Sequence, residues 1–201
     1  MIGLVGGWAR VVSVPGCTVC LAVSEEKGDV MTAPEPAAGE RADLLQSLAT
    51  QRHFLRHTTR GLTDEQAARQ ATASALCLGG LIKHVALTER QWARFIAEGP
   101  SAMAWDEASA GDWMAAFTML DGETLADLLE NYAQVARQTD ELVAHLPDLD
   151  ATQPLPPAPW FEPGARWSAR RVLLHLIAEI AQHAGHADII RESLDGARSM
   201  G

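Results

Sequence analysis

Positive charge is in short supply in this chain. The 16 Lys and Arg stand against 26 Asp and Glu, giving a formal net charge of −10 and a pI near 5.1. Clustered cations are what neutralise a phosphate backbone, so a nucleic-acid partner is not expected. Cysteine is scarcer still. Three in a chain of 201 residues cannot build a disulfide scaffold, although free thiols or a metal site stay open. Long apolar runs are missing: none reaches the ~18 residues of a membrane-spanning helix, so no membrane partner is expected. There is no G-x-S-x-G, no P-loop and no dinucleotide-binding glycine pattern. What is present is a globular composition, 47% hydrophobic and 21% charged in 21.6 kDa. That is enough for one ordinary domain and too little for two comfortable ones.

The opening segment stands apart. MIGLVGGWARVVSVPGCTVCLAVS is mildly apolar, but Arg10, Pro15 and glycines interrupt it, and no basic leader precedes an unbroken apolar stretch. It is a poor secretory signal, and a cytoplasmic protein is expected. Cys17 and Cys20 form a lone C-x-x-C. A redox reading needs a βαβ context and a zinc ribbon needs a second pair, so the bland reading is preferred. Met31 opens MTAPEPAAGERADLL, which reads like an ordinary start. Residues 1–38 are therefore expected to be an unstructured extension and linker, or to stem from a start placed too far upstream. The domain proper spans 39–201.

From residue 39 the periodicity is helical, and nothing reads as a strand. Leu44, Leu48 and Leu55 recur on one face of a helix over 40–60 that Gly61 ends. Thr63 and Gln66 in TDEQ predict a capped short turn. A second helix covers about 78–98 and stops at Gly99-Pro100. Residues 100–122 read as a long connection, part of it packed on the body through Trp105, Trp113 and Phe117. A third helix, about 123–146, sets Leu125, Leu128, Tyr132, Val135, Thr139, Leu142 and Leu146 at alternating steps of three and four, the seam of a bundle. Residues 147–166 hold six of the ten prolines and are expected to be irregular. Ser168 caps a last helix over about 169–194, which ends before Gly196. Four helices and one long crossover predict an all-α four-helix bundle.

The last helix, RRVLLHLIAEIAQHAGHADIIRE, carries a polar stripe beside its core face. At ~100° per residue from His175, Glu179 falls at ~40°, His183 at ~80° and His186 at ~20°. Leu173, Leu176, Ile180 and Ala187 occupy ~100–160°, next to that stripe. Glu179 and His183, spaced i, i+4, reach one point in space. On the second helix, Leu78, Leu81, Val85, Trp92 and Ile96 form the apolar arc and His84 lies at its margin. One His and one Glu-x-x-x-His from adjacent helices would hold a metal with three ligands and leave a position open for a water or a thiol. A histidine satisfied by hydrogen bonds and a surface ion pair are the competing readings.

In GGLIKHVALTERQW around His84, and in HLIAEIAQHAGHADIIRE, the sequence resembles the DinB-like proteins. It is most similar to an actinobacterial DinB-like group of unassigned function, related to mycothiol-dependent maleylpyruvate isomerase. The resemblance runs over about residues 40–196 and is most specific in the closing segment. It implies a four-helix bundle. It also implies a divalent metal, held by a His of the second helix and by a pair on the last helix. Many members have H-x-x-x-H there; the isomerase type has Glu first, which is the version present here. Carried over, the ligands are His84, Glu179 and His183, with Zn²⁺ expected first and Ni²⁺, Fe²⁺ or Mn²⁺ as alternatives. Thiol-using members activate a low-molecular-weight thiol at the metal. The resemblance thus implies transfer, isomerisation or hydrolysis of a small-molecule substrate, with mycothiol as a co-substrate. His186 and Arg191 then line the pocket, His186 donating to a ligand or substrate oxygen and Arg191 holding a carboxylate. The plainer readings are a packing histidine and a surface ion pair.

Other residues test the pattern. Glu89 lies inside the apolar arc of its helix and needs a partner, either a ligand to orient or an arginine. His53 and His57 point away from Leu44, Leu48 and Leu55 and should face solvent. His145 reads as a cap in the last turn of its helix. His175 is a supporting group or a fourth ligand, and Trp92 walls the pocket. The competing function is a non-catalytic ligand-binding or stress-related bundle, with a structural metal or none. A homodimer is expected.

Overall fold

The computed structural model describes residues 39–103, 111 and 115–199. Cys17, Cys20, Met31, the linker through residue 38, Trp105 and Trp113 lie outside the described residues. Helix α1 (Glu40–His57) buries Leu44, Leu48 and Leu55, and Gly61 turns the chain at a φ of 71°. Thr63 then caps a short α2 (Asp64–Ala68): its side chain accepts from the Gln66 amide, and the Gln66 side chain accepts from the Thr63 amide. Helix α3 (Leu78–Glu98) passes into a 3₁₀ turn (Gly99–Met103), helix α4 covers Leu125–His145, and helix α5 covers Ala169–Asp195. Ser168 caps α5 through the Arg171 amide, and Gly196 closes it in the left-handed region at φ 80°.

End-to-end contacts set the helix directions. Arg170 at the start of α5 pairs with Glu40 at the start of α1. Arg191, near the end of α5, donates to the carbonyls of Thr58 and Arg60. So α1 and α5 run parallel. Arg41 donates to the carbonyls of Ala144 and Leu146, which makes α4 antiparallel to α1. Arg90 bonds Asn131 while Ala97 shares a surface hollow with Leu142, so α3 and α4 run parallel. Two parallel neighbours in succession require a connection that returns along the helices, and residues 99–124 supply that length. His145 caps α4 as expected, its Nδ1 donating to the Glu141 carbonyl at 2.8 Å.

Three expectations need correction. Residues 147–166 are not wholly irregular, and the chain is not free of strands. Strand β1 (Thr152–Pro154) pairs antiparallel with β2 (Arg166–Ser168), Gln153 opposite Trp167. Three-residue strands are too short for alternation to register, and Pro154 sits at a strand end. Next, the α4 seam drifts: Leu142 and Leu146 are only partly buried, and Val143 is fully buried. A strict three-four alternation assumes 3.5 residues per turn, whereas an unsupercoiled helix keeps ~3.6. Last, His84 is not marginal; it is 2% exposed, inside the core.

One ion pair lies at the centre of the helices. Glu89, fully buried, receives Nε and Nη2 of Arg52 at 3.1 and 2.5 Å, a fork-to-fork contact. The third donor, Nη1, reaches Asp140 at 2.8 Å. The arginine alternative for Glu89 is thus the one realised, and it ties α1 to α3 and α4. Tyr132 lies close by with its hydroxyl buried and lacking a partner among the described residues, and burial pushes its pKa up. Glu89→Ala removes two of the three carboxylate contacts of the buried Arg52 and leaves it Asp140 alone. Urea unfolding should show a loss of about 3–5 kcal/mol, and a loss below ~1 kcal/mol would mean Arg52 swings out to water.

Candidate metal centre

His84 sits in the second turn of α3, and Glu179 and His183 lie one turn apart on α5. The expected ligands converge. Glu179 Oε1 stands 3.3 Å from His183 Nε2 and 3.6 Å from His84 Nε2. One donor atom from each of the three residues lies within 4.8 Å of the others. The two imidazoles hold the Glu179 carboxyl well below the usual carboxylate range, the His183 contact most strongly and His84 next, against the opposing effect of burial. The ring of His84 lies edge-on to that of His183, centroids 4.8 Å apart.

Aromatic rings bracket the cluster. Phe117 stacks on His84 with centroids 4.0 Å apart and planes at 23°. At the other end, His175 meets the edges of Trp92 and Trp167 at 4.9 and 5.3 Å. Those two indoles stack on each other at 4.8 Å. Burial lowers the His175 pKa and keeps the ring neutral; Glu179 opposes the shift and Arg171 adds to it. His175 therefore supports the site from the tryptophan side, and no donor of His175 joins the ligand cluster.

His186 lies beside the cluster, its ring 5.5 Å from that of His183. Nδ1 of both His183 and His186 is buried without a hydrogen-bond partner among the described residues. Arg191 sits elsewhere. Its Nη1 donates to the Thr58 and Arg60 carbonyls, joining α5 to the end of α1, and its Nε donates to Asp195 on its own helix. His53 is exposed, as its phase on α1 requires, whereas His57 is half-buried, and neither joins the ligand cluster.

Sequence reasoning placed Phe117 on the body but missed its contact with His84. The signal lies in Gly79-Gly80. A Cβ on Gly80 would meet the Phe117 carbonyl oxygen at 2.0 Å, and one on Gly79 would meet Met119 Sδ at 2.7 Å. Only glycine lets residues 117–119 cross α3 this closely. Lys83 fastens the same segment, reaching the Thr118 carbonyl at 3.5 Å and Glu123 at 2.7 Å. Gly80→Ala should lower stability by about 1–3 kcal/mol in urea unfolding. Gly185→Ala, with nothing within 4 Å of its added methyl, should be neutral or stabilising by up to ~1 kcal/mol. Equal effects at the two positions would contradict the crossing as the cause.

Comparison with proteins of curated function finds no match. The family model described as mycothiol-S-transferase matches residues 43–196, from the first turn of α1 to the residue that closes α5. That stretch contains every member of the His–Glu–His cluster. The chain belongs to the mycothiol-S-transferase family, a DinB-like family.

Proposed function

We propose that this protein is a metal-dependent thiol transferase, with His84, Glu179 and His183 as ligands of a divalent cation and mycothiol as co-substrate. The observation that carries the reading is the meeting of donors from two helices at one point, in a chain of this family. The spacing supports it. Tetrahedral zinc with donors at ~2.0–2.2 Å sets them about 3.3 Å apart, and Glu179 Oε1 stands 3.3 and 3.6 Å from the two imidazoles. Two imidazoles and a carboxylate suit zinc and leave a fourth position, the arrangement of catalytic rather than structural zinc. When bound, the cation would lower the pKa of a thiol in that position and supply thiolate at neutral pH.

The chain's own residues do the rest. Phe117 covers His84 and keeps water from that side, while Trp92 and Trp167 hold His175 against the other end of the stripe. His186, with its free Nδ1 next to His183, is the group that faces the small-molecule substrate and donates to its oxygen. Arg191 is assigned a joint between helices and no substrate contact. In this reading residues 39–201 form one DinB-like four-helix bundle that works in the cytoplasm. Two copies pair through the outer face of α5, where Leu174 and Ile189 are 47% and 61% exposed beside exposed Ala178 and Gly185.

Elemental analysis of tag-free protein tests the ligand set. Wild type should carry one equivalent of metal. Glu179→Ala and His183→Ala should each lose it and remain folded. Full metal in Glu179→Ala would remove that residue from the set. A collapse in melting temperature on metal removal would favour a structural clip over catalysis. Metal affinity should fall as pH falls, because the imidazoles must shed protons to ligate while Glu179 is already ionised. Light scattering should give a dimer for wild type and a monomer for Ile189→Glu; a monomeric wild type would contradict the pairing.

A further inference from the structure

A second hollow opens away from the metal ligands. The His–Glu–His donors lie between α3 and α5; this hollow lies between α1 and α4 and has a volume of about 770 Å³. That is within the range of small-ligand pockets. Leu62, Leu125, Ala126 and Leu129 line it with apolar surface, the last turns of α1 line it with His53, Arg56 and His57, and the turn after α1 adds Arg60.

The hollow's wall carries cationic side chains on a chain with an excess of acidic ones. Arg52, Arg94, Arg137, Arg170, Arg191 and Arg198 each pair with a carboxylate. Arg56 and Arg60 pair with none among the described residues; of the others without a carboxylate, Arg41, Arg90 and Arg166 bond other oxygens, Arg171 lies over the Trp167 ring, and Arg69 is exposed. Among the described residues the Arg60 guanidinium reaches an imidazole, His57 Nδ1 at 3.5 Å. The acidic residue on the hollow's lining, Asp64, is committed: its Oδ1 accepts from the Leu125 amide at 2.7 Å. The helix dipole favours cations in this turn, but it does not keep carboxylates away from them. Arg56 lies in the last turn of α1 and Arg60 in the turn that follows the helix, and both line the hollow, where two guanidinium groups can share one anionic group.

We propose that this hollow binds a small organic anion. A carboxylate or phosphate group sits between Arg56 and Arg60, and an apolar body rests on Leu62, Leu125 and Leu129. On a chain of net charge −10 an anion is repelled in general, so its capture requires a local cationic wall of this kind. The site is independent of the metal centre and of the transferase reading.

Amide-resolved NMR on the full chain tests it with three probes: 1-naphthoate, 1-naphthyl phosphate and uncharged 1-naphthalenemethanol. At least one anion should give saturable shifts at residues 56–62 and 125–129. It should bind at least tenfold more tightly than the alcohol, and the tighter of the two anions identifies the recognised group. An R56A/R60A double variant should weaken that binding at least tenfold. Both side chains are exposed, so the variant's spectrum elsewhere should match wild type. His183→Ala should leave the binding intact. Equal affinity for the alcohol, an unaffected double variant, or no saturable shift at these residues would each overturn the proposal.

Discussion

Glu179 meets imidazoles from two different helices, and that meeting exists only while α3 and α5 keep a fixed register. A slide of one helix turn, ~5.4 Å, would exceed the 4.8 Å spread of the donor atoms. Much of the structure acts on that register. At one end Phe117 presses on His84, held there by a crossing that only Gly79-Gly80 permits. At the other, Trp92 of α3 packs on His175 of α5, and Trp167 stacks on Trp92 just before α5 begins. Arg191 and Arg170 pin the two ends of α5 to α1.

Ion pairs are used differently in two places. Arg52 and Glu89 are buried in the core with their hydrogen bonds satisfied, a contact that costs little while intact and much when halved. Its consequence is geometric: three helices are tied at a single point. The His–Glu–His group is more open, with Glu179 25% exposed. Its donors face one another and are not each matched to an arginine. A cluster of that kind, with Nδ1 of His183 and His186 buried and without a partner among the described residues, is suited to receiving a cation and a ligand from outside.

Much of this was legible in the sequence, for identifiable reasons. Helix limits were set by local chemistry: Ser168 and Gly196 bound α5, and the Thr63–Gln66 box marks α2. The ligand stripe on α5 followed from phase alone, since residues spaced i, i+4 on one helix must share a face. Periodicity offered His84 as a third arm, and family resemblance assigned it as a ligand, because phase shows which way a side chain points and not which helix lies opposite. The same gap hid the Arg52 partner of Glu89 and the Phe117 cover of His84. Each depends on a contact distant along the chain, which no local window contains. The β1–β2 pair escaped notice because three residues per strand give no period to read.

The central claim is that His84, Glu179 and His183 close on one cation. X-ray absorption at the zinc edge of the zinc-loaded protein tests it most directly. The account predicts a first shell of nitrogen and oxygen at ~2.0–2.1 Å with outer scattering from two imidazoles, reduced to one imidazole in His84→Ala or His183→Ala. A shell containing protein sulfur, or an unchanged spectrum in those variants, would contradict it.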